Sequence, residues 1–374
     1  MTRCSDRPRP SSRIIALCAL ALMPACAKKE APQERSTATS TPVAPVATAP
    51  ALPPLPEPPV SLGAAKAAPA SNPTTPAKVA LGNRLFFDKA LSADGSRSCY
   101  SCHQNEDGTG GHEPTAIGAK NTPLPRHSPT LWNVGYLPRY YWDGRSDSLE
   151  AQGKAAWAGG NMGVGADNLA AKAAEFDAKP EYRAAFDAAF PGIGATPETV
   201  VQALSAYERT LFCGDTALDR HVAGDTNALN AQQKAGLELF ISKAGCHGCH
   251  TPPFFSDAFT SEDGSYHNVG IGIKGKEPTA VDVGRQKISN NPTEFAAFKT
   301  PSLRNVTRSA PYLHDGSMSK LEDVVRFMAG GGYKNPALDP KMVDKKLSDD
   351  EVQKIVAFLG ALECTGSLTP PAPL

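Results

Sequence analysis

Cys99-Tyr100-Ser101-Cys102-His103 and Cys246-His247-Gly248-Cys249-His250 are two copies of one pattern, C-x-x-C-H. That pattern is the c-type haem attachment signature. Two thiols about one helical turn apart can each form a thioether to one vinyl group of the same haem. The adjacent imidazole then lies under the iron as its proximal ligand. Zinc ribbons also pair C-x-x-C motifs, but about 15–20 residues apart, whereas 144 positions separate Cys102 from Cys246 here. A redox dithiol explains neither the following His nor the duplication. The reading is two covalently bound haem c groups, one held by Cys99, Cys102 and His103, the other by Cys246, Cys249 and His250.

Each motif follows an apolar helix end. Gly82-x-x-Leu85-Phe86 precedes the first, and Gly236-x-x-Leu239-Phe240 precedes the second. This repeat predicts two related domains, joined near residues 220–230, where Gly224, Asp225, Asn227 and Asn230 supply turn chemistry. Helical signals dominate the body. Leu81 and Leu85 are one turn apart, and Thr196-Pro197 opens a helix with the stripe Val200, Leu204, Tyr207, Leu211. Ser319-x-x-Glu322 and Ser348-x-x-Glu351 fit capping boxes before apolar runs. The second run is Val352, Ile355, Val356, Leu359, Leu362. Strand signals are few and short, so the fold class is mainly α with long Gly- and Pro-rich loops.

The chain has 374 residues with 38 Lys plus Arg against 38 Asp plus Glu. A neutral balance argues against nucleic-acid binding, which needs a basic excess. No apolar run reaches the roughly 20 residues of a spanning helix. Residues 1–26 read as an export signal: Arg3, Arg7, Arg9 and Arg13 precede an apolar run over 14–25. Met23-Pro24-Ala25-Cys26 fits a bacterial lipoprotein signal with Cys26 lipidated, although Met stands where Leu is usual. Cleavage for soluble secretion is the alternative, and both readings export the chain to the periplasm. Residues 27–77 are dominated by Pro and Ala, a composition that predicts a disordered, extended tether. Domains are then expected over 78–228 and 229–366, with a tail over 367–374. Of the nine Cys, four belong to the haem motifs and Cys4, Cys18 and Cys26 to the signal. Cys213 and Cys364 remain, each ending an apolar helical run in an oxidising compartment. A disulfide between them is expected; two separate buried thiols are the alternative.

These motifs, with LFFD at 85–88, PRHSPTLWN at 125–133, WDGR at 142–145, TPSLRN at 300–305 and APYLHDG at 310–316, resemble the bacterial di-haem cytochrome c peroxidases, including the MauG-type maturation enzymes. The resemblance covers residues 78–365. It implies two cytochrome-c-like α domains whose haems face each other across their interface. It also implies reduction of hydrogen peroxide to water, with electrons from a small periplasmic cytochrome c or cupredoxin, and often a homodimer. The haem on His103 would be the peroxidatic one and the haem on His250 the electron-accepting one, with Trp142 between them. Met328 matches the sixth ligand of the second haem, and Met318 is the runner-up. Leu321, Val325 and Met328 also form one helical stripe, which alone reads as core. MauG-type enzymes carry Tyr at that position, so Met points to the peroxidase branch. Gln152 matches a Gln of the peroxide pocket; an exposed helical Gln is the bland alternative.

The chain departs from the family pattern in three places. Asn161-Met162-Gly163 stands where the family has the acid/base Glu of E-M-G. An amide can hydrogen-bond but cannot titrate, so the proton step loses its usual carrier. Asp167 is the nearest downstream carboxylate. Ala119 replaces a His that in some peroxidases covers the first iron, which leaves His112 as a loop His in reach. His127 replaces an Asn of an inter-domain calcium site, so only the carbonyls of Ser309 and Pro311 match there. Three readings follow: a peroxidase; a di-haem electron carrier that has lost peroxide chemistry; and a MauG-like oxidase of another protein's side chains. His267 and His314 receive no role.

Overall fold

The computed structural model describes residues 52–371. Its frame is two helix crossings of the same design. In the first, α1 (Pro76–Phe87) is started by Thr75, whose hydroxyl accepts from the Lys78 N–H, with Pro at the first helical position. It packs on α5 (Pro197–Glu208), which opens with a Thr196/Thr199 capping box. The crossing point is Gly82: a Cβ there would lie 2.0 Å from the Ala203 carbonyl oxygen, so only glycine allows the approach. Phe86 and Tyr207 close the crossing with ring centroids 5.3 Å apart.

The second crossing joins α7 (Ala231–Ile241) and α10 (Asp349–Gly360), each opened by a capping box. Gly236 takes the part of Gly82, with a Cβ position 1.9 Å from the Lys354 carbonyl oxygen. Phe240 and Phe358 take the part of Phe86 and Tyr207, 5.1 Å apart. The sequence repeat is therefore a repeated helix crossing. Around the first crossing lie α2 (Leu149–Ala158), α3 (Leu169–Asp177) and α4 (Pro180–Ala189); α6 (Ala217–Val222), α8 (Gln286–Ser289) and α9 (Leu321–Ala329) belong to the later chain. The sheet among the described residues is one antiparallel pair, β1 (Tyr266–His267) and β2 (Phe298–Lys299).

Of the three apolar clusters among the described residues, two are built around the crossings, one at each, and a smaller one joins Val134, Leu137, Tyr140 and Leu149 to Ala258. Membership of the first two shows where packing passes from one cluster to the other. Cys213 belongs to the first cluster, but Leu218 already belongs to the second. The hand-over thus precedes residue 228, because Asp219 on α6 is bonded by the buried Arg304 at 2.7 and 2.8 Å. The tail expected from 367 is anchored to the first cluster. Leu368 is buried there, and its backbone exchanges two hydrogen bonds with the Asn105 amide. The tether expected through 77 ends sooner: Leu62 is buried, and buried Asn72 bonds Glu150, the Gln202 carbonyl and Lys78. The Ser61 hydroxyl and the Lys66 ammonium also donate, to the Gly214 and Leu137 carbonyls, so a few side chains with partners dock a chain of poor core-forming composition. The export signal and the tether up to residue 51 lie outside the described residues.

Ser319 does not open α9. The helix starts at Leu321 with Lys320 at its N-cap, because the Met318 carbonyl is held by the Tyr312 N–H at 2.7 Å in a β-bridge. Cys213 and Cys364 form the expected disulfide, with Cα atoms 5.3 Å apart.

Candidate functional site

Each C-x-x-C-H copy folds as a single tight turn that opens into its own cavity. The first turn, Cys99–Ser101, is fixed by a Ser98/Ser101 capping box. It lines a cavity of about 800 Å³ with Cys99, Cys102 and His103. The second, Cys246–Gly248, lines a cavity of about 480 Å³ with Cys246, Cys249 and His250. All four thiols are free. His103 Nδ1 lies 2.9 Å from the Thr109 carbonyl and His250 Nδ1 3.0 Å from the Phe255 carbonyl. A carbonyl can only accept, so each Nδ1 carries the hydrogen and each Nε2 keeps its lone pair for a metal. Burial lowers the His103 pKa to about 4 and lowers that of His250, which keeps both rings neutral.

The first cavity has Gln152 from α2 and Asn161 from the following loop in its wall. That loop is pinned by backbone bonds from Ala119 N–H to the Asn161 carbonyl (3.0 Å) and from Ala93 N–H to the Met162 carbonyl (2.8 Å). The Tyr141 hydroxyl donates to the Gln152 backbone carbonyl. Ala119 is fully buried and outside the cavity wall. Asp167 is exposed and also outside it, so it is no substitute for the missing carboxylate. His112 is exposed beside Asp107 and Glu113. The buried Trp132 Nε1, in this cavity's wall, has no partner among the described residues.

In the second cavity Met328 stands among Leu321, Val324, Val325 and Leu359. Met342 lines it too, from a loop whose spacing carried no signal, whereas Met318 does not. His267 lies between Asp257 (2.8 Å) and Asp339 (2.5 Å). Burial pulls its pKa down, but hydrogen bonds to Asp257, the Cys249 sulfur and Asp339 outweigh that and raise it to about 10. Ser309, Pro311 and His127 also line this cavity. His127 Nδ1 faces the Glu113 carbonyl at 2.9 Å and supplies no oxygen ligand of the kind calcium takes.

The two cavities share a wall. Trp142, His127, Lys299 and His314 line both. Trp142 is held by its Nε1–H to the His127 carbonyl (2.8 Å), and its own carbonyl accepts from Lys299 N–H (2.8 Å). Behind it, Arg126 bonds Asp143 and Asp282 at 2.7 Å each, and Arg145 bonds Asp143 at 2.9 Å. His314 stacks on Phe298, and burial lowers its pKa to about 4. Burial also lowers the Lys299 pKa to about 8, with no acidic partner offsetting it. Lys299 and Glu208, the last residue of α5 and part of the first cavity wall, were missed by sequence reading. A charged residue on a strand or at a helix end reads as solvated.

The residues fit haem. Two apolar cavities each present two free thiols and an imidazole whose Nδ1 is engaged, with Trp132 Nε1 unpartnered among the described residues in one and the buried Lys299 amine in the wall of both. Comparison with known proteins agrees. The family model for di-haem cytochrome c peroxidase matches residues 76–227. The methylamine utilization protein MauG of Methylorubrum extorquens is 38% identical over 302 residues, covering 79% of this chain and 80% of that one. The cytochrome c551 peroxidase of Pseudomonas aeruginosa is 32% identical over 287 residues, covering 75% and 77%. A crystal structure of a MauG-like protein associated with microbial copper homeostasis superposes with TM-score 0.76 at 30% identity, covering 87% of this chain and 98% of that one. The diheme peroxidase BthA of Burkholderia thailandensis shares the fold, with TM-score 0.64 at 23% identity over 84% and 95%. With its two helix crossings and their two adjoining cavities, this chain belongs to the di-haem cytochrome c peroxidase family.

Proposed function

We propose that the chain is a periplasmic peroxidase that reduces hydrogen peroxide to water with electrons from a small redox protein, a cytochrome c or a cupredoxin. The observation that carries this reading is the pair of C-x-x-C-H turns opening into adjoining cavities with Trp142 in their common wall. The haem irons supply the redox chemistry when bound. Cys99 and Cys102, and Cys246 and Cys249, attach the two groups as thioethers; His103 and His250 ligate the irons through Nε2. Lys299 is the cation available to the haem carboxylates, since no described residue offers it an anion. Met328 supplies a thioether to the second haem, which favours the reduced state and suits an electron store. The Trp142 ring, fixed by the His127 carbonyl, bridges the two sites. In the first cavity the Gln152 amide orients peroxide, and Asn161 hydrogen-bonds it without taking its proton. Export rests on the signal at residues 1–26, with Cys26 as the lipidation site, and the Cys213–Cys364 disulfide suits an oxidising compartment.

A second reading, a MauG-like oxidase of protein side chains, is favoured by the 38% identity to a protein of that name; Met328 in place of Tyr speaks against it. The test is stopped-flow spectroscopy of the two-haem protein, with the second haem pre-reduced, mixed with hydrogen peroxide. Fast two-electron turnover with reduced cytochrome c supports the peroxidase. A long-lived oxidised state discharged only by a protein substrate supports the alternative, and no reaction leaves an electron carrier. A pyridine haemochrome assay should count two haems per chain.

A further inference from the structure

Peroxide reduction consumes two electrons and two protons: H2O2 + 2 e− + 2 H+ gives two waters. Breaking the O–O bond needs a proton on the departing oxygen, and Asn161 cannot carry one. Four carboxylates line the first cavity: Asp143, Glu208, Asp282 and Asp315. Asp143 is bound by Arg126 and Arg145, and Asp282 by Arg126. Asp315 accepts from the Ser317 N–H. Among the described residues, the Glu208 carboxylate alone of the four makes no hydrogen bond; its backbone carbonyl accepts from the Leu211 N–H. It ends α5 on the face that also sends Leu204 and Ser205 to the cavity wall. Its neighbour Arg209 does not pair with it; that guanidinium goes to Glu150 at 2.6 Å.

We propose that Glu208 is the proton-transfer group of the peroxide site, taking over from a helix end the task that Asn161 cannot perform. The proposal rests on the peroxidase reading. The Glu208 carboxyl gives its proton to the departing oxygen, the O–O bond breaks, and water leaves. The proton on the remaining oxygen returns to Glu208. The two electrons come from the redox donor and the two net protons from solvent, which reaches the cavity at exposed Asn161. Glu208 is unchanged over the cycle.

Its surroundings suit an acid. Burial raises the Glu208 pKa to about 8; Arg209 pulls it down and Glu150 pushes it up by lesser amounts. Cys99, Tyr140 and Tyr207 are the other titratable groups whose fields it shares; all three are neutral at pH 7, and Cys99 is a thioether once haem is attached. An acid poised near the working pH is the efficient case for proton transfer.

The experiment compares the two-haem wild type with Glu208→Gln and Glu208→Asp. In wild type the single-turnover peroxide rate should fall as pH rises through about 8, because the acid form is lost. Glu208→Gln should lower that rate by roughly 100-fold or more, abolish the pH dependence, and remove a protonated-carboxyl band from the infrared difference spectrum. Reduction of the second haem by donor should be unchanged. Glu208→Asp should restore part of the rate with a shifted midpoint. A Glu208→Gln protein within threefold of wild type with the same pH profile overturns the proposal. If Glu208→Gln fails to take up two haems, Glu208→Asp carries the test: an unmoved midpoint overturns it. If wild type itself does not turn over, the peroxidase reading has failed, and the rate of hydrogen cyanide binding decides Glu208 separately. Cyanide must lose a proton to bind, and above about pH 8 Glu208 is the carboxylate that can take it; there, slowing in Glu208→Gln supports the proton role, and an unchanged rate ends it.

Discussion

A single side chain in this protein takes its chemistry from what encloses it. Met328 and Met342 both reach the second cavity, and the assigned ligand is separable from its neighbour by spectroscopy. Met328→Ala should abolish the far-red methionine–iron band and lower the potential of the second haem; Met342→Ala should leave the band in place. His267 offers a different test. Its pKa stands at about 10 in the folded chain against 6.5 for the free side chain. A raised pKa stabilises the fold fully below the unfolded value and loses that contribution as pH climbs to the folded value. With Cys249 a thioether in the haem-loaded chain, Asp257 and Asp339 remain as the raising partners, so the stability advantage of wild type over His267→Gln should be complete well below pH 6.5 and shrink as pH climbs toward the raised folded value. Urea unfolding midpoints across that range measure it; an advantage that grows with pH would contradict the Asp257–His267–Asp339 arrangement.

At the scale of elements, the two helix crossings are the device that makes the cavities. Each places a C-x-x-C-H turn beyond the end of its first helix. The required closeness is met by glycine alone, since a methyl group at Gly82 or Gly236 would meet a carbonyl oxygen at 2.0 or 1.9 Å. Gly82→Ala and Gly236→Ala should each destabilise by roughly 1–3 kcal/mol or more, the cost of overpacking a rigid contact. Each should lower haem uptake mainly in its own lobe. Thermal unfolding together with haem counting distinguishes this from a uniform loss.

For the molecule as a whole, long-range ties bring the chain end back to its beginning. The Cys213–Cys364 bridge and the Asn105–Leu368 backbone bonds fasten residues after α10 to the first apolar cluster. The chain therefore crosses from the first lobe to the second and returns. Replacing both cysteines with serine should cost about 2–5 kcal/mol, read as a lower denaturant midpoint. Both haem motifs should remain occupied, since their four thiols take no part in the bridge.

Much of this was legible in the residues themselves. The two C-x-x-C-H motifs, the Gly-x-x-Leu-Phe repeat and the Thr196 and Ser348 caps are local signals. Their meaning depends on spacings of one to four residues, which a helical turn or a thioether pair imposes directly. The disulfide was legible by elimination, once the sequence was read as exported. Tertiary structure alone decided what depends on distant partners. Ser319 lost its cap because Tyr312 holds the Met318 carbonyl. Packing passes from one cluster to the other where Arg304 reaches Asp219, and the tether and tail found docking places no local pattern announces. Glu208 and Lys299 read as solvated charges by type. They line cavities because α5 is drawn against α1 by Gly82 and because β2 sits behind Trp142. Whether a charge meets water or a buried wall is set by what packs over it, and that is written in residues more than a hundred positions away.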